Sequence, residues 1–517
     1  MHRAPALPCA DGSVFLFKTS MTCANQVRAR ASRQGCSSWR TLVGVGFNKI
    51  HSVQSFMTST PPRHKNADSA QAAPSAPALW QQLEAVAQAL HGILGGQSSK
   101  SVLAQVPQRL RPGVQALLFQ VLRNLGRAQA LQKQLVSRAP APKVSALLST
   151  ALALAWDETH APYPPFTLVN QAVEAAKHGA ARAQSGFINA CLRRFLRERD
   201  ALVVATDSDP VAVWNHPAWW IARLKKDHPG DWQTILAANN AQPPMTLRVN
   251  AKKCTPTQYK SALEAMNLKA LPVAECGLQL EQAAPVQELP HFEQGWASVQ
   301  DAAAQVAAPL LLQGLEPRQG GALRVLDACA APGGKTAHLL EHAKAAGLQV
   351  TALEIDPERA RRIGETLSRL DLQAQVLVAD AGQPEAWFES QCGGQQFDAI
   401  LLDAPCTASG IVRRQPDVRW LRRESDVAQL ARIQSQLLDK LWPLLKPGGR
   451  MVYCTCSVFK AEGDTQVKAF LARNKTAISL PAPWHLIPGK SAKGDSVADN
   501  GLGDHDGFFY ALLEKSR

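Results

Sequence analysis

The apolar run Leu323-Arg324-Val325-Leu326 leads directly into Asp327-Ala328-Cys329-Ala330-Ala331-Pro332-Gly333-Gly334-Lys335-Thr336, and Ala337 to Glu341 then reads as a helix. A buried strand, a loop of small residues and a helix in immediate succession form the opening of a nucleotide-type cofactor site. Small residues let the backbone approach a ligand closely, and a helix N-terminus offers N–H groups that have no partner within the helix. The loop therefore predicts a nucleotide-type cofactor site. It matches neither G-x-G-x-x-G nor the phosphate-binding pattern G-x-x-x-x-G-K-[ST], because the first glycine of that spacing is missing. The plain alternative is a glycine-rich turn in an ordinary α/β domain.

The segments that follow support the cofactor reading. Val350 to Leu353 ends in Glu354, about 20 residues past the glycines, where a Rossmann-like sheet carries the acid for ribose hydroxyls. Val376 to Ala379 ends in Asp380, and Phe397 to Leu402 ends in Asp403. A helix over Gln429–Leu445 is expected to stop at Lys446-Pro447-Gly448-Gly449. Arg450–Thr455 and Gly507–Leu513 read as further strands. Alternation of this kind predicts a mostly parallel sheet with helices on both faces and a ligand at the strand C-termini. Two strands also run into cysteines, at Asp403-Ala404-Pro405-Cys406 and at Cys454-Thr455-Cys456-Ser457. A thiolate beside a cofactor is a nucleophile, whereas a single cysteine is ordinarily a small buried apolar residue.

The first half of the chain differs. From Leu79 to about Asp200 the apolar spacing is helical, with Phe187, Ile188, Cys191, Leu192, Phe195 and Leu196 on the inner side of the last helix. Arg193, Arg194, Arg197 and Arg199 lie on its outer side. Residues 79–205 are read as an all-α bundle, 206–300 as a small α+β module and 301–517 as the catalytic domain. Trp219 and Trp220 are candidates for base stacking or for helix packing. Residues 1–78 form an acid-poor stretch rich in Arg and Ser. They are read as a disordered basic extension or as the product of an early start codon, with Met57 as the alternative start; a transit peptide is the rival reading. A net charge of +14, from 56 basic and 42 acidic residues, favours a polyanion partner. The eleven cysteines show no C-x-x-C pair and no zinc spacing. Free thiols in a reducing, cytoplasmic setting are therefore expected, with no metal. No apolar run has the length of a membrane span.

Taken together, the Asp327–Thr336 loop, Asp403-Ala404-Pro405-Cys406 and Thr455-Cys456-Ser457 resemble the signature of the RNA cytosine-C5 methyltransferases of the Sun/Fmu family. Ser298-Val299-Gln300-Asp301, Arg413-Arg414 with Pro416-Asp417 and Trp420, and Asp506-Gly507-Phe508-Phe509 agree with it. Gly186-Phe187-Ile188-Asn189 with Leu192-Arg193-Arg194 is similar to a NusB-like RNA-binding domain. Asn240 with Pro243-Pro244 and Leu247-Arg248-Val249-Asn250 is similar to the segment between the two. The resemblance covers Leu79 to Leu513 and implies a multidomain α plus α/β chain: a NusB-like bundle, a small α+β linker module and a Rossmann-like S-adenosylmethionine-dependent domain. It implies methyl transfer to a cytosine of 16S rRNA by a monomer. Cys456 would be the nucleophile and Cys406 would assist product release. Cys329, Ala330, Ala331, Pro332, Gly333, Gly334 and Lys335 would bind the cofactor, Asp403 would lie by the target base and the methionine end of the cofactor, Glu354 by the ribose and Asp380 by the adenine. Arg193, Arg194, Arg413, Arg414, Arg419 and Trp420 are candidates for RNA contact. Cys454 is an extra thiol where relatives commonly have alanine, and Cys406 remains a rival nucleophile.

Three other readings stay open. The same chemistry could serve tRNA or another rRNA site. A non-catalytic RNA-binding assembly factor would be expected to have lost Asp403, Cys406 or Cys456. A small-molecule methyltransferase would turn over without RNA and would need neither the charge nor the paired cysteines.

Overall fold

Apolar residues recur every three to four positions from Leu79 onward, and each such stretch folds as a helix with that stripe inside. The computed structural model describes residues 77–316, 321–343, 347–489 and 501–517; the stretch read as a basic extension lies outside them up to residue 76. Helices α1 (Leu79–Leu94), α2 (Ser99–Ala104), α3 (Arg111–Leu135), α4 (Pro142–Ala155), α5 (Pro165–His178) and α6 (Ser185–Ala205) share one core. Prolines at the first turns of α3, α4 and α5 fix their starts. Phe187 corrects the expected helix face: it is 40% exposed, whereas Ile188, Cys191, Leu192 and Phe195 are buried.

Three short helices follow, α7 (Pro210–Trp214), α8 (Ala218–Asp227) and α9 (Trp232–Asn240). Trp220, Ile221, Leu224, Ile235 and Leu236 share a core with Val412, Val418, Val427, Val458 and Phe459 of the catalytic domain. Trp220 is fully buried, its ring edge-on to Phe459, so packing is its role. The module itself is a four-stranded antiparallel sheet in the order β2-β3-β1-β4. It consists of β1 (Thr246–Val249), α10 (Pro256–Ala265), β2 (Ala270–Val273), β3 (Gly277–Leu280) and β4 (Ala297–Val299).

The catalytic domain runs through α11 (Ala307–Leu312), β5 (Leu323–Asp327), α12 (Gly334–His342), β6 (Leu348–Glu354), α13 (Pro357–Leu370), β7 (Gln375–Val378), α14 (Phe388–Cys392) and β8 (Phe397–Asp403). It continues through α15 (Val418–Leu421), α16 (Glu424–Leu441), β9 (Leu445–Thr455), α17 (Asp464–Arg473), β10 (Ala477–Leu486) and β11 (Phe508–Lys515). The sheet order is β10-β11-β9-β8-β5-β6-β7. Strands β5 to β9 are parallel, and β11 alone runs the opposite way, pairing antiparallel with both β9 and β10. Strand alternation sends Val452 and Cys454 to the face covered by α11, α12 and α13, and Met451 and Tyr453 to the face covered by α16 and α17. The Lys446–Gly449 stop signal is displaced from its expected role. Helix α16 already ends at Leu441, and Lys446–Gly449 forms an irregularity within β9 where Asp398 alone stands opposite.

The chain order reverses between β5 and β8. The crevice above that pair is where ligands of open α/β sheets sit, and Asp327 and Asp403 end these two strands.

Candidate active site

The sheet brings the predicted site residues to one edge. Strand β8 overruns β5 by two residues, because Asp327 pairs with Leu401, and Asp403 then pairs with Cys454 of β9. Lys335 Nζ lies 2.6 Å from Asp403 Oδ2, so the cofactor loop and the β8 end are joined by an ion pair. Burial alone would lower Lys335, but the Asp403 carboxylate outweighs it and holds the ammonium above its ordinary range. Cys454 Sγ sits 3.6 Å from Asp403 Oδ1, fully buried, with its thiol raised first by burial and then by Asp403.

Gly333 has φ +97°, and a Cβ there would come within 3.1 Å of Ile363 Cα on α13. Its glycine is thus set by helix packing as much as by any ligand. Asp327 is completely buried: Oδ2 accepts from Thr336 Oγ1 at 2.7 Å, while Oδ1 has no partner among the described residues. Burial pushes its carboxyl from 3.8 up to about 7, with the Asp403 charge adding to the rise. A proton held in the fold but lost earlier on unfolding means stability present at low pH and lost as pH rises through about 7. Asp327→Asn is therefore expected to gain on wild type between about pH 4 and pH 7, by at most ~1.4 kcal/mol per unit. Unfolding of the cofactor-free protein across that range measures it; parallel curves would refute the assignment.

Glu354 is 4% exposed and accepts from Asp356 N at 3.1 Å, with Arg359 Nη1 at 3.3 Å. Asp380 accepts from Gly382 N and Gln383 Nε2. Between these acids Ile355 is 63% exposed, an apolar surface at the sheet edge that the sequence reading passed over. Carboxylates, an orphaned buried oxygen and an apolar ledge fit a ligand carrying hydroxyl and amino donors, a cation and an aromatic ring. A separate cleft of about 1240 Å³ lies behind α12, lined by His338, Glu341 and Gln305 among others, and none of these acids or cysteines lines it.

Cys406 and Cys456 meet with their sulfurs 3.3 Å apart, both half-buried. The hydrogen bond with Cys456, then burial, raises the Cys406 thiol. Side chains that the sequence reading did not single out hold this pair. Arg422 donates to the carbonyls of Thr407 at 3.1 Å and Cys406 at 3.4 Å, and Gln434 donates to that of Pro405 at 2.9 Å. Gly410 lies against Gly507, whose carbonyl oxygen would be 1.9 Å from a Cβ at 410.

Two of the residues proposed for RNA contact, Arg413 and Arg419, are corrected by their burial, while Arg414 and Trp420 are half-buried and bonded within the fold. Arg413 is 1% exposed and donates to Asp506 and Asp504; Arg414 bridges Asp506 and Asp301 and reaches the Pro244 carbonyl. Arg419 is fully buried on the carbonyls of Asn215 and Asn239 and on Asn240 Oδ1, and burial with Arg123 nearby lowers its guanidinium to about 9. Trp420 is half-buried, its Nε1 donating to Leu122 O at 3.1 Å. Asp417 accepts from Ser99 N at 2.8 Å. The segment is an interior spine that fastens the bundle, the module and the catalytic sheet. Arg193 is exposed, and Arg194 is half-buried with Glu198 at 2.9 Å.

Comparison with known proteins covers all three parts. Residues 312–514 match the family model described as 16S rRNA methyltransferase RsmB/F, residues 216–287 its ferredoxin-like domain and residues 80–197 the NusB family. The chain is 40% identical to Ribosomal RNA small subunit methyltransferase B of Vibrio cholerae, over 83% of this chain and 96% of that protein. The Escherichia coli protein of the same name is likewise 40% identical, over 81% of this chain and 95% of its own length. The solved structure of PH0851 shares the fold at TM-score 0.65 and 24% identity, covering 85% of this chain and 99% of that one.

Proposed function

The chain belongs to the RsmB/F family of 16S rRNA methyltransferases, and from that membership we propose that it methylates C5 of a cytosine in 16S rRNA through a transient bond between Cys456 Sγ and C6 of the base. S-adenosylmethionine is the methyl donor of this family of reactions, and it supplies an electrophilic methyl group on a sulfonium. Glu354, Asp380 and Ile355 would hold its nucleoside end, and Asp327, Asp403 and the Cys329–Lys335 loop its methionine end.

The observation that carries the reading is the contact of the Cys406 and Cys456 sulfurs beside the Lys335–Asp403 pair. Methyl transfer to an oxygen or an amine needs no thiol. Cytosine C5 does, because it is a poor nucleophile inside an aromatic ring. A Cys456 thiolate adding to C6 breaks that aromaticity and makes C5 enamine-like. The Lys335–Asp403 pair brings a proton donor and an acceptor to the same edge, suited to the base N3. After methylation a base takes the C5 proton, the C6–S bond breaks and Cys456 leaves as thiolate; Cys406, beside Cys456, is placed to act as that base once its own proton has passed to solvent. The target base must leave its stack to reach this crevice. Arg193, Arg194 and Arg414 remain candidates for phosphate contact and Trp420 for base contact. Among the described residues no helix is long and apolar enough to cross a membrane.

The test is transfer of labelled methyl to protein-free 16S rRNA, with the product mapped by nuclease digestion and mass spectrometry. A single 5-methylcytosine is expected. Methyl found on another atom, or acceptance by tRNA with none by 16S rRNA, would overturn the reading.

A further inference from the structure

We propose that Glu462 is a positioning residue for the two-cysteine chemistry, its buried carboxylate tying the Cys406 loop to the Cys456 loop and placing a negative charge on the Cys406 side of the pair. The inference rests on the reading of those cysteines given above. Glu462 lies in a short helical turn after β9 and is fully buried. Its Oε1 accepts from Thr407 N at 2.9 Å and Gln434 Nε2 at 3.2 Å. Its Oε2 accepts from Thr407 Oγ1 and from Ser457 Oγ at 2.6 Å. Thr407 follows Cys406 in the chain and Ser457 follows Cys456, so one carboxylate grips the neighbour of each sulfur.

Further bonds make the grip rigid. Ser457 Oγ lies 2.8 Å from Ser409 Oγ, which in turn accepts from Val458 N at 2.9 Å. The Glu462 carbonyl accepts from Tyr453 OH at 2.8 Å, and Tyr453 OH lies 3.2 Å from Gln434 Oε1.

Every donor to this carboxylate is neutral. A buried anion without a cation partner carries a desolvation cost that hydrogen bonds only offset. Burial accordingly raises the Glu462 carboxyl, against the opposing bonds from Ser457 and Thr407. A neutral side chain of the same shape could tie two loops without that cost, so the charge itself needs a use. The groups facing it are informative. Cys406 and Tyr453 both feel the charge of Glu462 as a raising influence, and Arg422 meets the loop through backbone carbonyls. The charge therefore keeps Cys406 protonated as a thiol, in contact with Cys456 Sγ, before any substrate arrives.

The test uses the full chain without cofactor or RNA. Wild type, Glu462→Gln, Glu462→Asp and Thr407→Val are alkylated with iodoacetamide across a pH series, and Cys406 and Cys456 are followed as separate peptides by mass spectrometry. In Glu462→Gln the alkylation midpoint of Cys406 should fall by about one pH unit, raising its rate at neutral pH relative to Cys456 by roughly tenfold. Glu462→Asp keeps the charge on a shorter arm, so its alkylation profile should stay near wild type. Its kcat for RNA methylation should still fall about tenfold, with KM for RNA within about twofold. Thr407→Val, which loosens only the Cys406 side, should lower kcat in the same way should Glu462→Gln not fold. An unchanged Cys406 profile in Glu462→Gln overturns the charge assignment, and wild-type kcat in both Glu462→Asp and Thr407→Val overturns the tether. The alkylation readout stands even if Cys456→Ala proves active, an outcome that would sink the proposed reaction instead.

Discussion

Cys456→Ala should lose methyl transfer to RNA by a factor of about 10⁴ or more, while Cys406→Ala should trap the protein on its RNA. The two outcomes follow from what each sulfur is asked to do. Without a thiolate to add at C6, the cytosine keeps its aromatic ring and C5 never becomes nucleophilic; removal of a covalent nucleophile has effects of this size. Without Cys406, the addition and the methylation still proceed through Cys456. What fails is removal of the C5 proton, and loss of a positioned base slows such a step by about 10²–10⁴. The C6–S bond then persists, and a protein–RNA adduct should appear as a slow band on a denaturing gel. The 3.3 Å contact is what makes this experiment decisive, because either sulfur can reach the same base edge. An adduct with Cys456→Ala in place of Cys406→Ala would exchange the roles. Cys454 is not expected to substitute for either: it is fully buried, turned toward Asp403 and raised by its burial.

The strands that shape the crevice are readable because buried parallel strands are rich in apolar residues, as in Val325–Leu326 and Ala399–Leu402, and each ends in an acid. Strand β10 was passed over. Pro481 and Pro483 interrupt it, and its register shifts between Leu480 and Trp484, features tolerated on an edge strand and uninformative in a sequence. The arginine segment shows the other limit. By sequence Arg413, Arg414 and Arg419 are only candidates for phosphate contact, since a surface loop is the equally plain reading. The partners of Arg413 and Arg414, Asp301 and Asp506, come from positions about a hundred residues away, and those of Arg419, the Asn215 and Asn239 carbonyls and Asn240 Oδ1, from farther still; only the fold brings them together. Asp301, Arg414 and Asp506 had each been picked out within separate motifs; what stayed hidden was that they form one ion-pair knot. Glu462 left no signal of its own, since a lone glutamate six residues past a cysteine acquires meaning only when Thr407 arrives beside it.

Arg248→Ala should destabilise the protein by about 3–5 kcal/mol, a cost typical of stripping one partner from a buried ion pair. Arg248 sits in β1 of the small module, and its guanidinium meets both oxygens of Glu341 on α12 at 2.7 and 2.8 Å. The side chains are 0% and 2% exposed, so Glu341 would be left as an unpaired buried charge. Glu341→Ala should cost a similar amount, because it strands the arginine. If the penalty comes from the stranded charge, Arg248→Met combined with Glu341→Leu should recover most of the lost stability. The double-mutant cycle would then show a coupling comparable to each single loss. Cofactor affinity should behave differently. Arg248 Nη1 also donates to the Gly334 carbonyl at 2.8 Å, holding the first residue of α12 where the cofactor loop ends. No apolar pair reproduces that bond, so S-adenosylmethionine binding measured by calorimetry should stay about tenfold weaker in the double variant after stability has returned. Affinity that recovers together with stability would mean that the module only props up the catalytic domain. Affinity that stays low would mean that the module sets the position of the cofactor loop itself.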